Sequence, residues 1–477
     1  MLFNSFNFGI FLPIVLILYW AIGYKKFRNQ NILLLIASYF FYGFWDWRFL
    51  LLIFISSLID YFTGLEIEKS TTTTRKKFFL FFSLFWNLGI LFVFKYYNFF
   101  ITEFTNSFGI GNSEYAFNTL NIILPVGLSF YTFQTLSYSL DVYKDKIKPT
   151  KNLLNFLCFV SFFPQLVAGP IERAGNLLPQ FNKQRNLDID NFKDGLRLIL
   201  WGLFKKMVVA DNIAIAVNTI YASPEDQGSL SLLYASFLVF FQIYCDFSGY
   251  SDIAIGSAKL FGFKLSNNFR IPYLSRSVSE FWQRWHITLT RWFTDYIYVP
   301  IIKKHQRNYF YKTYALFVSM ALIGLWHGAN WTFVAFGLFS AITIAIERIP
   351  IHVKGKKVSV HYYLNKMPKG ISQIYIFILT ICSVIFFRSE SLPSAFGIMK
   401  TIASFVPSEN FSFIIGFKVI VVPILIALEY FTRAKNHPFE NLEKTFSKPI
   451  RWVIYYIFII SIIKYAGPTE QFIYFQF

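Results

Sequence analysis

Apolar stretches recur from the first twenty residues of the chain to the last thirty, separated by short polar breaks. Each is about as long as a helix needs to be to cross a hydrocarbon core, roughly twenty residues at about 1.5 Å each. The pattern therefore predicts a bundle of spanning helices. The opening run, Phe6–Ile22, has no basic segment before it and no small-residue cleavage site behind it, so it reads as a retained helix and not as a signal peptide. Aromatic residues gather near the ends of many runs, where they anchor helices at the interface. Leu153–Pro170 has basic residues on both flanks and reads as re-entrant or interfacial, because a crossing would leave one basic flank outside. Tyr311–Gly324 and Thr332–Ile346 read as the two arms of a hairpin.

Basic residues give this pattern a direction, since they mark the cytoplasmic side. Lys25, Lys26 and Arg28, then Lys69–Lys77, Lys144–Lys151, Lys264–Lys312, Arg348–Lys369 and Arg433–Arg451 are the basic stretches. Thr102–Asn118, Asn218–Gly228 and Ser389–Ser412 are poor in Lys and Arg and belong outside. The alternation predicts about twelve crossings with both ends of the chain outside, with eleven as the alternative count. The fold class expected is an all-α polytopic membrane protein. It forms a single integral domain over 1–477, with its core motifs within 120–350 and further helices over 371–477. The hairpin then starts and ends inside, which puts its apex, Leu325–Trp331, on the outer side or deep within the bundle.

Composition narrows the class. The 477 residues are 55% hydrophobic, 21% aromatic and only 15% charged, which excludes a soluble chain of several ordinary domains. The net charge of +19 fits cytoplasmic loops beside anionic lipid. No run of aromatics on a soluble basic surface points to nucleic acid. Cys158, Cys245 and Cys382 lie in or beside apolar segments, with neither metal spacing nor a disulfide framework.

Three stretches are too polar, or too broken by Gly and Pro, for plain spans. Phe162–Arg173 carries Pro164, Gly169 and Pro170; such backbone is tolerated at membrane depth only against protein or a cavity. Tyr244–Asp252 holds Asp246 and Asp252, which need a cation or a hydrogen-bond network; the simplest account is a structural ion pair with the inner basic stretch. Asn267–Tyr296 is amphipathic and rich in Arg and Trp, and reads as a helix at or dipping into the cytoplasmic interface. Its arginines can also grip an anionic phosphate.

Of the six histidines, His305, His352, His361 and His437 fall in basic, exposed-looking loops. His286 and His327 alone stand in aromatic, membrane-embedded settings, inside the strings Phe-Trp-Gln-Arg-Trp-His and Leu-Trp-His-Gly-Ala-Asn-Trp. An imidazole with its ordinary pKa near ~6.5 is the natural general base at neutral pH. Approached from opposite sides, the pair suggests a reaction path across the membrane.

These strings, with Phe162–Arg173, Tyr244–Gly262 and Asn267–Tyr273, resemble the membrane-bound O-acyltransferase superfamily, and within it the branch of the alginate O-acetylation membrane subunit. The resemblance implies a many-helix bundle around a tunnel, and an acyl group moved from a cytosolic thioester to a hydroxyl. His327 matches the superfamily's near-invariant histidine and His286 its second active-site position. The implied donor is acetyl-CoA or a similar acyl thioester, with no permanently bound cofactor and no metal. The implied acceptor is an extracytoplasmic polysaccharide, reached through a partner of the SGNH-hydrolase type. The implied location is the bacterial cytoplasmic membrane. D-alanyl transfer to teichoic acid, from a carrier-protein thioester, is a less close match within the superfamily, and lipid acylation is another variant.

On this reading Arg270, Arg284 and Arg291 attract the anionic donor, His327 removes a proton from the incoming hydroxyl or an intermediate nucleophile, and Asn330 orients it or donates to the oxyanion. His286 is a second proton or positioning group, and Asp246 a further positioning candidate. No Ser-His-Asp arrangement is visible, so a covalent acyl-enzyme is not required. The competing class is a transporter or flippase of polysaccharide or lipid. It accounts for the spans and the buried acids but not for the strings around the two histidines.

Overall fold

The computed structural model describes residues 1–23, 26–108, 119–353, 356–407, 417–468 and 470–475. Lys25, residues 109–118 of the loop at 102–118 and residues 408–412 of the one at 389–412 lie outside the described residues. The expected all-α membrane architecture is present. Among the described residues, twelve α-helices run for fifteen residues or more, and the one sheet is a short antiparallel pair, Pro350–Val353 with Lys356–Ser359. Among the described residues, four helical stretches are by themselves long and apolar enough to cross a membrane: Arg48–Lys69, Thr73–Ser107, Ser229–Leu260 and Lys369–Arg388. Phe6–Ala21, Trp331–Glu347 and Ile420–Phe431 are shorter apolar helices.

The chain divides into two compact units, residues 1–196 with 253–266, and residues 197–252 with 267–477. In the first, the helix Leu128–Tyr143 is buried on nearly every face, its polar residues Gln134, Thr135 and Ser139 included. Gly127 starts it with φ +76°, a left-handed turn that favours glycine. Two buried charges of this unit have their partners within it. Asp60 accepts from Ser83 at 2.5 Å and from Asn87 at 2.9 Å, and Arg185 donates to Tyr19 at 2.7 Å and Asn31 at 2.6 Å. Leu153–Ser161, expected to be re-entrant, is a nine-residue helix whose last seven residues are buried. At about 1.5 Å per residue it is too short to span.

The second unit contains the predicted hairpin. Its arms are the helices Tyr309–His327 and Trp331–Glu347, with His327 as the last residue of the first. Three glycines allow the arms to meet. A Cβ at Gly324 would strike the Phe333 carbonyl oxygen, one at Gly337 the Met320 carbonyl oxygen, and one at Gly328 the Phe333 ring. Asn330 caps the second arm by accepting from the Thr332 amide at 3.0 Å. Such a contact tolerates no added volume, and overpacking costs about 1–3 kcal/mol or more. Gly337→Leu is therefore expected to lower the melting temperature of the detergent-solubilised protein and its folded yield, measured by fluorescence-detected size exclusion, while Gly370→Ala, where a Cβ meets nothing, leaves both near wild type.

Candidate active site

The hairpin delivers His327 into a shell of rings. The side chain is 1% exposed, and its ring centroid lies 5.0 Å from Trp326, 5.3 Å from Phe387, 5.4 Å from Tyr474 and 5.5 Å from Phe336. Phe336 comes from the second arm, Phe387 from the helix Lys369–Arg388, and Tyr474 from the segment after the helix Lys448–Tyr465.

His286 reaches the same place by a different route. The stretch expected as one amphipathic helix is broken into Val278–Arg284 and Ile287–Phe293, and His286 sits at the break with φ +41°. A left-handed histidine is strained by roughly 1–3 kcal/mol and persists only where its surroundings fix it. Here Asn268 does the fixing. Its carbonyl accepts from the Ile287 amide at 2.9 Å and its side-chain oxygen from the Thr288 hydroxyl at 2.9 Å. On the other side, buried Glu347 accepts from the amides of Val278 at 2.6 Å and Ser279 at 3.2 Å, tying the first short helix to the hairpin. The His286 ring lies 4.7 Å from Phe247 and 5.4 Å from Trp326. Burial among these rings pushes its pKa down to about 3, so the imidazole is neutral. The tryptophans that suggested an interfacial anchor, Trp282, Trp285 and Trp292, are buried, because the break turns them into the protein.

The two histidines thus share one neighbour, Trp326. They form one site, not two ends of a long path.

A cavity of ≈ 750 Å³ opens beside this site, within the range of small-molecule pockets. Its floor is buried and includes Trp201, Lys205, Tyr244 and Glu429. Glu429 accepts from the Tyr244 hydroxyl at 2.9 Å and the Tyr273 hydroxyl at 2.7 Å. The rim carries Arg270, Arg276, Arg284, Lys369, Arg433 and Lys435. Tyr244 packs on Phe269 at 6.0 Å, and Phe269 meets His286 at 6.4 Å, so the floor is one aromatic ring away from the histidines. A second, apolar slot of ≈ 40 Å³ lies among Trp282, Trp285, Phe336 and Phe387. It shares the last two rings with His327.

Several expected roles change. Arg270 and Arg284 do line the cavity, Arg284 while paired to Glu280 at 2.6 Å. Arg291 does not; it is exposed on the helix Ile287–Phe293, whose inward face is taken by Leu289, Trp292 and Phe293. Asn330 spends its carbonyl on the helix cap and its amide on the Glu390 carbonyl at 3.0 Å. These two bonds give it a structural role, as a helix cap tied to the Glu390 backbone. Asp246 is not in the cavity. It pairs with Lys206 at 2.8 Å, and Asp252 with Lys205 at 2.6 Å. The partners come from the π-helical turn Phe204–Ala210, not from the basic stretch at 264–312. His437, expected in an exposed loop, is 4% exposed and lines the cavity.

A family model described as the membrane-bound O-acyltransferase family matches residues 32–389. The chain belongs to that family. It is 37% identical over 414 residues to a probable alginate O-acetylase of Pseudomonas aeruginosa, covering 84% of this chain and 74% of the relative. It is 35% identical over 431 residues to a peptidoglycan O-acetyltransferase of Helicobacter pylori, covering 84% and 79%. A teichoic acid D-alanyltransferase of Streptococcus thermophilus matches at 28% over 241 residues, 48% of this chain and 58% of the relative. The protein is thus a membrane-bound O-acyltransferase, and the transporter alternative gives way.

If Asn330 only caps a helix, Asn330→Ala should cost about 1 kcal/mol of stability and leave kcat within a few-fold of wild type. A loss of the order of 10²–10³ in kcat, the scale for a removed oxyanion donor, would restore the catalytic role.

Proposed function

We propose that this membrane O-acyltransferase takes an acetyl group from a cytosolic thioester such as acetyl-CoA and passes it outward to hydroxyls of an extracytoplasmic polysaccharide. An SGNH-hydrolase-type partner completes the transfer, and the setting is the bacterial cytoplasmic membrane. The observation that carries this reading is the shared ring shell of His286 and His327 beside a cavity with a cationic rim and a buried floor. The rim suits the phosphates of a nucleotide-linked donor, through long-range attraction and charge-assisted hydrogen bonds. The apolar slot, at ≈ 40 Å³, suits a two-carbon acyl group better than a long chain. The names of the relatives, which act on alginate and peptidoglycan, support a glycan acceptor.

His327 is the general base. Of the four rings packed on it, Tyr474 alone carries a hydroxyl, and that hydroxyl is buried without a hydrogen-bond partner among the described residues. In the mechanism proposed, His327 takes the phenolic proton as the tyrosine oxygen attacks the thioester carbonyl. An O–C bond forms, the C–S bond breaks, and the thiolate leaves with the electron pair. The resulting aryl ester keeps the acetyl group activated, because a phenol is a far better leaving group than a sugar hydroxyl. An acceptor hydroxyl then attacks the ester and the phenol regains its proton. Neutral His286 positions the donor side through Trp326 and Phe269.

Three outcomes test this. With purified protein in liposomes and radiolabelled acetyl-CoA, His327→Ala should reduce thiol release at least about 10³-fold at normal abundance; wild-type turnover would remove it from the chemistry. Mass spectrometry of quenched wild-type enzyme should find the acetyl group on the peptide containing Tyr474 and none in Tyr474→Phe. Arg284→Ala and Arg433→Ala should raise KM for acetyl-CoA, and more steeply at low salt than at high, since exposed charges are screened within about 10 Å at 0.1 M. A KM indifferent to both changes would move the donor elsewhere.

A further inference from the structure

Lys206, Asp211 and Asp246 line no part of the donor cavity, yet they converge on one short segment. After the helix Lys448–Tyr465 the chain runs through Ala466–Gly467 to the single turn Ile473–Phe475 that carries Tyr474. This strap is bound at successive points to the turn Phe204–Ala210 and the start of the helix Asp211–Tyr221. The Asn212 side chain donates to the Tyr465 carbonyl at 2.8 Å, and the Gly467 amide donates to the Met207 carbonyl at 2.9 Å. A Cβ at Gly467 would lie 2.7 Å from the Asp211 backbone, so only glycine fits that approach. Lys206 donates to the Glu470 carbonyl at 3.1 Å while paired to Asp211 and Asp246, both at 2.8 Å. Finally, Asp246 accepts from the Ile473 amide at 2.8 Å, one residue before Tyr474. Lys206 and Asp246 are 1% and 3% exposed.

We infer that the Lys206–Asp246 pair is a positioning device that sets the register of the strap and thereby the place of the Tyr474 ring, with its hydroxyl, beside His327. Removing either group leaves the ring packing of Tyr474 on Phe247 at 4.5 Å and Trp326 at 5.9 Å, but frees the strap to slide along it. Rings tolerate sliding; a reacting oxygen does not, since a displacement of about 1 Å can cost roughly 10²-fold. The carboxylate is needed in two capacities, as counter-ion to Lys206 and as acceptor for one amide. This also explains why an acid sits at the middle of the helix Ser229–Leu260, where an unpaired one would be costly.

The inference rests on the proposed role of Tyr474, and the test separates the two. The full-length enzyme in liposomes is assayed with acetyl-CoA for thiol release and for single-turnover acetylation of Tyr474. Asp246→Ala should lower kcat about 10–100-fold, the usual scale for an outer-shell partner, with KM for acetyl-CoA within two-fold of wild type. Asp246→Asn, which keeps an acceptor for the amide, should recover much of that loss. Should Asp246→Ala fail to fold, Ile473→Pro removes the amide proton together with the side chain, at a first turn position that suits proline, and should lose kcat well beyond Ile473→Ala, which keeps the amide, at normal abundance. Wild-type kcat in Ile473→Pro overturns the device. So does a loss in Asp246→Ala that appears in KM instead of kcat. Wild-type kcat in Tyr474→Phe overturns the tyrosine's role and the device with it.

Discussion

Backbone contact between two helices is the constraint on which the site depends. Gly324 and Gly337 let the arms Tyr309–His327 and Trp331–Glu347 approach until carbonyl oxygens sit where side chains would be. That contact ends the first arm at His327 and aims its imidazole inward. The same arms present Trp326, Phe333 and Phe336 to the interior and supply Glu347, which anchors the short helix before His286. Small residues at a helix crossing thus fix both histidines, one directly and one through a carboxylate at the far end of the second arm.

A dry interior imposes the second constraint: every polar group needs a partner. For its buried charges the protein meets it with a few converging networks. Lys205 and Lys206, adjacent on a π-helical turn, face two aspartates six residues apart on one long helix, and a close crossing at Gly202 and Gly249 lets those two helices meet. Glu429 is satisfied by two tyrosine hydroxyls at the cavity floor. The networks place charge only where it orients something.

Much of this was legible in the sequence. The hydropathy pattern and the alternation of basic loops predict the helical architecture and the hairpin, because both follow from solvent alone. His286 and His327 stand out because an imidazole among aromatics is costly without a use. Pairing was not legible. Asp246 called for a cation, but a lysine forty residues earlier in an apolar run is an equally plausible partner to a basic loop until the helices are packed. Lys205 and Lys206, side by side in such a run, were an available signal that was not read. Asn330 looks catalytic because it stands near a histidine, whereas its position before a helical run is the clue to the cap it makes. Arg291 shares the charge of its neighbours but not their direction, which depends on the break at His286. Tyr474 carried no local signal at all; only the return of the strap brings it to His327.

The jacket of rings around His327 also governs time. An aryl ester is destroyed by water, and Trp326, Phe336 and Phe387 leave little room for any. If Tyr474 carries the acetyl group, the loaded enzyme can persist between encounters with an acceptor. Loading on one side of the membrane and unloading on the other then need not be simultaneous, and idle turnover stays slow when the acceptor is scarce.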